Sequence, residues 1–179
     1  MKVRLWRYLY DSYLELPAWV YEGLLAVLCV GAVSAFLLYG ARKGGWMTLR
    51  LLLVEFVVMI YCSTVFFRHA MKERDYDFHP FWSYAAIHEG REELLEENMM
   101  NILVFVPIGL LIGLTFRNIR WWVVLLIGTS ISALIEILQF YTKLGFSELD
   151  DVMHNTAGCM IGYGICMAIN RTRKWIARR

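Results

Sequence analysis

Five apolar stretches, each about as long as a bilayer core is thick, dictate what this chain can fold into. They run from about Leu16 to Tyr39, Leu49 to Phe67, Asn98 to Phe116, Trp121 to Tyr141 and Val152 to Asn170. A helix of about 20 residues spans the roughly 30 Å of hydrocarbon. In lipid the backbone must satisfy its own hydrogen bonds, so each stretch is expected to be helical. Hydrophobic residues make up 59% of the chain and charged residues 19%, with a mean hydropathy of +0.48. That balance lies outside the range of soluble domains. The expected fold is an all-α membrane protein, a bundle of about five transmembrane helices. Residues Met1 to Glu15 mix Leu5, Trp6, Tyr8, Leu9 and Tyr13 with Lys2, Arg4, Arg7, Asp11 and Glu15, which predicts an N-terminal interfacial helix. Basic residues before an apolar run also suit a signal peptide. This run is too long for one, and Arg42 and Lys43 anchor its far end, so it is read as a retained span.

Five spans alternate sides. One side collects Arg42, Lys43, Arg50, Arg117, Arg120 and five basic tail residues, ten Lys and Arg in all, against eight on the other side. Basic residues crowd the short loops on that side, where the positive-inside rule applies best, so the carboxyl end is expected in the cytoplasm. The long connection from Met71 to Glu97 then lies outside, with the acids and with all four histidines, His69, His79, His88 and His154. Its Phe81, Trp82 and Tyr84 read first as an interfacial aromatic belt and second as substrate contacts.

Charge near hydrocarbon is costly and marks candidate function. The outer ends of the spans bring Arg68, Asn101, Glu136, Gln139, Glu148, Asp151 and Asn155 into one candidate polar cluster. Glu136 and Gln139 are three apart on one helix face, and Arg68 is the natural partner for Glu136. Plainer readings exist for several of these. Ser147 and Asp150 have capping-box spacing, Glu148, Asp150 and Asp151 suit a helix N-terminus, and Asn101 and Asn155 suit inter-helix hydrogen bonds. Glu55, near the other face, reads as solvated or paired with Arg50. The pairs Gly109 and Gly113, and Gly158 and Gly162, allow helices to approach closely. Cys29, Cys62, Cys159 and Cys166 lack ligand or redox spacing and read as small apolar residues. No His-Glu-x-x-His, nucleophile elbow or phosphate-cradling loop is present. No metal or other cofactor is therefore expected, and the composition points to no nucleic-acid partner.

With these residues in view, the chain resembles the VanZ-like family of small bacterial membrane proteins, whose founding member is tied to resistance to the glycopeptide teicoplanin. The resemblance rests on four blocks in order: His79-Pro80-Phe81, then Asn101 to Gly109 (NILVFVPIG), then Ile135 to Phe140 (IEILQF), then Glu148 to Val152 (ELDDV) followed by Asn155 to Gly158 (NTAG). It spans about Arg68 to Gly164. The chain departs from the pattern at Lys143 and Gly145, where many relatives have an Arg nearby, and at Glu148, where they have Asp. Lys143 is the candidate to supply the missing charge. The resemblance implies a polar motif facing outward from the bacterial cytoplasmic membrane, and it carries no reaction mechanism. It divides the chain into an N-terminal segment with the first span (1–48), a VanZ-like transmembrane domain (49–170) and a basic cytoplasmic tail (171–179).

Three functions compete. The leading expectation is a non-enzymatic envelope protein that binds an amphipathic partner beyond the bilayer itself, either a lipid-linked glycan precursor or an acyl-chain glycopeptide such as teicoplanin. The alternative is an intramembrane hydrolase or transferase with Glu136 or a histidine as general base for a lipid substrate. A transporter is third. No inverted repeat or broken helix pair supports it, although a homo-oligomer would compensate.

Overall fold

The computed structural model describes residues 16–68, 70–116 and 118–177, with Lys174 described by its backbone alone. The predicted interfacial helix at Met1 to Glu15, His69 and Arg117 lie outside the described residues. Two compact units follow one another, divided between Arg68 and His69.

The first unit holds α1, Ala18–Tyr61, which leads into a π-helical turn, Cys62–Phe66. Run straight, the 49 residues from Ala18 to Phe66 would extend about 73 Å. The rings of Trp19 and Phe67 nevertheless stand 5.7 Å apart, so the helix doubles back on itself. The fold-back is at Gly40, whose φ of 71° and ψ of 172° are non-helical. Only glycine occupies that region without a steric penalty. Beyond the turn the arms cross closely: a Cβ on Gly44 would lie 2.8 Å from the Phe36 Cα, and one on Gly31 would strike the Leu51 side chain. The loop expected from Gly40 to Gly45 thus contracts to one residue, and the two expected spans are arms of a hairpin. Glu55 is 8% exposed, so it is buried and not solvated.

The second unit contains β1 (Tyr76–Asp77), α2 (Trp82–His88), α3 (Glu93–Thr115), α4 (Trp121–Thr142), β2 (Ser147–Glu148) and α5 (Leu149–Ile176). The acids Glu93 and Glu96 occupy the first turn of α3, where they favour the positive end of the helix dipole. They extend the third span upward into the expected loop. Parallel α3 and α5 pack through their glycines. A Cβ on Gly158 would fall on the Ile102 carbonyl, one on Gly162 on the Val106 carbonyl, and one on Gly109 on the Cys159 carbonyl. Antiparallel α4 meets α5 through Gly128 against Cys159 and through Thr129 with Thr156 at 3.1 Å. Phe105, Ile108, Ile112, Val124 and Cys159 fill the centre and are at most 2% exposed. Four described helical segments are long and apolar enough to cross a membrane, and the first of them is folded double at Gly40. This is an all-α membrane protein. The second unit gathers its polar groups at one end, where α4 finishes and α3 and α5 begin.

Candidate functional site

Two connecting segments lie side by side at the polar end. The Met71 N–H donates to the Lys143 carbonyl at 2.8 Å and the Ser147 N–H to the Asp75 carbonyl at 3.1 Å. Tyr76 and Asp77 then pair in parallel with Ser147 and Glu148. This two-stranded bridge was not expected from the sequence, because two residues carry no detectable period. It brings the His79 to Tyr84 segment over the start of α5.

Asp150 fastens that segment. Its carboxylate accepts the Phe81 N–H at 2.6 Å, the Ser83 N–H at 3.0 Å and the Ser83 hydroxyl, while Asn98 Nδ2 donates to Ser83 Oγ at 3.0 Å. The expected capping box within α5 is not formed. Asp150 instead caps α2, whose own N-cap residue, Phe81, has no side-chain acceptor and sits in the left-handed region at φ 63°. Such a backbone costs about 1–3 kcal/mol for a bulky residue. Hydrogen bonds to a charged acceptor contribute about 1.5–3 kcal/mol each and offset it. Ser147, the other half of the expected box, donates its hydroxyl to the Glu136 carbonyl at 3.0 Å.

Glu148 is 6% exposed and accepts the Trp82 indole N–H at 3.0 Å. Burial, then the nearby charges of Asp151 and Glu97, push its carboxyl up to about 9. The Arg91 guanidinium stacks 5.2 Å from the Trp82 ring, and Phe146 meets that ring edge-on. Further along, the Tyr84 hydroxyl and His154 Nε2 stand 2.9 Å apart. At the foot of the loop, Asp77 accepts the His79 N–H at 2.8 Å and faces His79 Nδ1 at 2.9 Å. These contacts hold the Asp77 carboxyl below the usual range, with the backbone hydrogen bond the largest cause.

Six of the seven candidate cluster residues lie in this unit, where two pairs of them are hydrogen-bonded to each other. Glu136 Oε2 accepts the Glu148 N–H at 2.9 Å, Asn101 Nδ2 reaches Asp151 Oδ1 at 2.6 Å, and Asn155 Nδ2 reaches Ser132 Oγ at 2.8 Å. Gln139 shares the buried face of α4 with Glu136. Gly145 presses onto it: at φ 152° this residue must be glycine, and a Cβ there would lie 2.9 Å from Gln139 Nε2. Arg68 belongs to the first unit and is described with it. Among the described residues no three His, Cys, Asp or Glu side chains are grouped to share a metal ion.

The way in is a cleft of about 220 Å³ beside the last turns of α4, lined by Phe78, Glu136, Ile137, Phe140, Tyr141 and Ser147. Glu136 and Ser147 are its polar lining residues. Ile137 and Tyr141 are 50% and 69% exposed, so the cleft opens away from the packed face of α4. Phe78 and Tyr141 escaped sequence reasoning. Phe78 comes from a segment about 60 residues earlier, and only the β1–β2 bridge carries it there.

Comparison with known proteins relates the chain to one family. Protein VanZ of Enterococcus faecium is 32% identical over 72 residues, covering 38% of this chain and 45% of that protein. The alignment therefore spans less than half of the relative's length. No solved structure matches the chain. The family model for VanZ/LLP1 matches residues 46–170, from the second arm of α1 through most of α5. That interval holds every strand and helix that builds the polar end, and the chain belongs to the VanZ/LLP1 family.

Proposed function

We propose that this protein binds an amphipathic molecule, a lipid-linked glycan precursor or an acyl-chain glycopeptide, at the outer face of the bacterial cytoplasmic membrane. One observation carries the reading: the cleft at the end of α4 is lined by an acidic residue, Glu136, together with Ile137, Phe140, Tyr141 and Phe78. Small-molecule sites combine apolar walls with a few placed polar groups in this way. The hydrogen bonds of the two candidate bases tie neighbouring segments of the polar end together, a positioning role that supports binding. Glu136 Oε2 accepts the Glu148 N–H and His154 Nε2 meets the Tyr84 hydroxyl.

Glutamine keeps an acceptor for the Glu148 N–H while removing the charge, so Glu136→Gln is the fitting test. In cells whose glycopeptide susceptibility depends on this protein, the variant should lose the phenotype at normal protein level and melting temperature. A wild-type phenotype would place the binding groups elsewhere. Sidedness is tested separately. An impermeant thiol reagent should label Glu89→Cys in intact cells and fail to label Arg171→Cys, in a background without Cys29 and Cys62.

A further inference from the structure

We infer that the cleft holds the upper part of a phosphate-bearing lipid, its headgroup on Arg74 and Lys143 and its first methylenes against Ile137, Phe140 and Tyr141. The inference deepens the proposed function and rests on that reading of the cleft.

Depth supports it. Tyr141 stands one residue before the end of α4 and Ile137 one turn below, about 6 Å toward the bilayer centre. With the end of α4 at the membrane surface, as the proposed function has it, that is the level at which headgroup gives way to chain. Shape supports it as well. Tyr76 and Phe78 stack at 5.1 Å and both lean on Phe140, at 5.3 and 6.0 Å, while Tyr141 meets Phe140 edge-on at 5.5 Å. Of these rings, Phe78, Phe140 and Tyr141 line the cleft.

Charge supplies the occupant's chemistry. The Arg74 guanidinium lies 5.3 Å from the centroid of Phe140, a wall of the cleft. Lys143, left-handed at φ 60°, ends α4 two residues past Tyr141, and its Nζ reaches the Lys72 carbonyl at 3.4 Å. Among the described residues neither cation meets a carboxylate at ion-pair distance. Glu73 and Asp75 neighbour Arg74 in sequence without pairing with it. Two cations beside an apolar cleft, neither in an ion pair with a carboxylate, match an anionic headgroup with a hydrocarbon tail. A guanidinium matches phosphate oxygens by its planar fork, and an ammonium by point charge.

The test uses the purified full chain in a neutral detergent, with bound lipids counted by native mass spectrometry. Phosphatidylglycerol and phosphatidylcholine of identical chains are added in parallel. Wild-type protein should retain phosphatidylglycerol about tenfold more strongly, equivalent to about 1.4 kcal/mol. The Arg74→Gln/Lys143→Gln double variant should lose this preference at an unchanged melting temperature. Ile137→Trp, which fills the cleft from an exposed position, should lower retention of phosphatidylglycerol itself. Equal retention of both lipids by the wild type, or an undiminished preference in the double variant, would overturn the inference. Displacement of the lipid by millimolar inorganic phosphate would also overturn it, since the site would then recognise free phosphate. If lipid preference fails while Ile137→Trp still abolishes glycan or glycopeptide binding, the headgroup assignment falls alone and the proposed function stands.

Discussion

Three donors from one loop, the Phe81 and Ser83 N–H groups and the Ser83 hydroxyl, converge on the carboxylate of Asp150. Removing such an acceptor leaves buried N–H groups unsatisfied, at about 1–3 kcal/mol each. Asp150→Ala should therefore lower stability by about 3 kcal/mol, read as a fall in melting temperature in detergent. Ser83→Ala should cost less, and the two losses should not add, because both residues belong to one network. Glu148 behaves differently. Its folded carboxyl is raised to about 9, above the unfolded value near 4.3. Between those values the folded state holds a proton that the unfolded state has released, so this group's contribution falls as pH rises through the window. Glu148→Gln keeps an acceptor for Trp82 and should flatten the decline in melting temperature between about pH 5 and 9. An unaltered slope would assign the decline to other groups. The sequence revealed Glu136, Gln139 and Asp151 as polar groups at a span end. It concealed the role of Asp150, since a Ser-x-x-Asp spacing at a helix start gives no hint of donors nearly 70 residues upstream.

At the scale of elements, the seam between α3 and α5 is set by backbone contact. Gly158 and Gly162 bring α5 against the carbonyls of Ile102 and Val106, so a side chain at either must push the helices apart. Gly158→Val should abolish folded, monodisperse protein in detergent, whereas Gly164→Ala, with nothing within 4 Å, should be tolerated. The glycine pairs were visible in the sequence as close-packing faces, because spacing by four marks one helix face. That the two faces pack on each other was not, because periodicity names a face and not its partner. The turn at Gly40 shows the same limit. Apolar length gave two spans, and charge at Arg42 and Lys43 suggested a loop, but a single glycine with positive φ reverses the chain. Gly40→Ala should cost about 1–3 kcal/mol through backbone strain alone. A melting temperature equal to wild type would show that another residue makes the turn.

For the whole molecule, helices supply a rigid frame in lipid, and two short strands and one short helix carry aromatic residues to its polar end. Hydropathy disclosed the frame, since every spanning segment must be long and apolar. It disclosed nothing of the cleft, whose walls come from α4 and from a loop paired through two residues. On the proposed function, this cleft receives an amphipathic ligand. Binding of fluorescent teicoplanin and of a labelled lipid-linked glycan precursor to the full chain in lipid nanodiscs tests it most directly, wild type against Ile137→Trp. The account predicts saturable binding of at least one probe by the wild type, weakened about tenfold, or about 1.4 kcal/mol, in the filled variant at an unchanged melting temperature. Equal binding by both proteins, or no saturable binding of either probe, would contradict it.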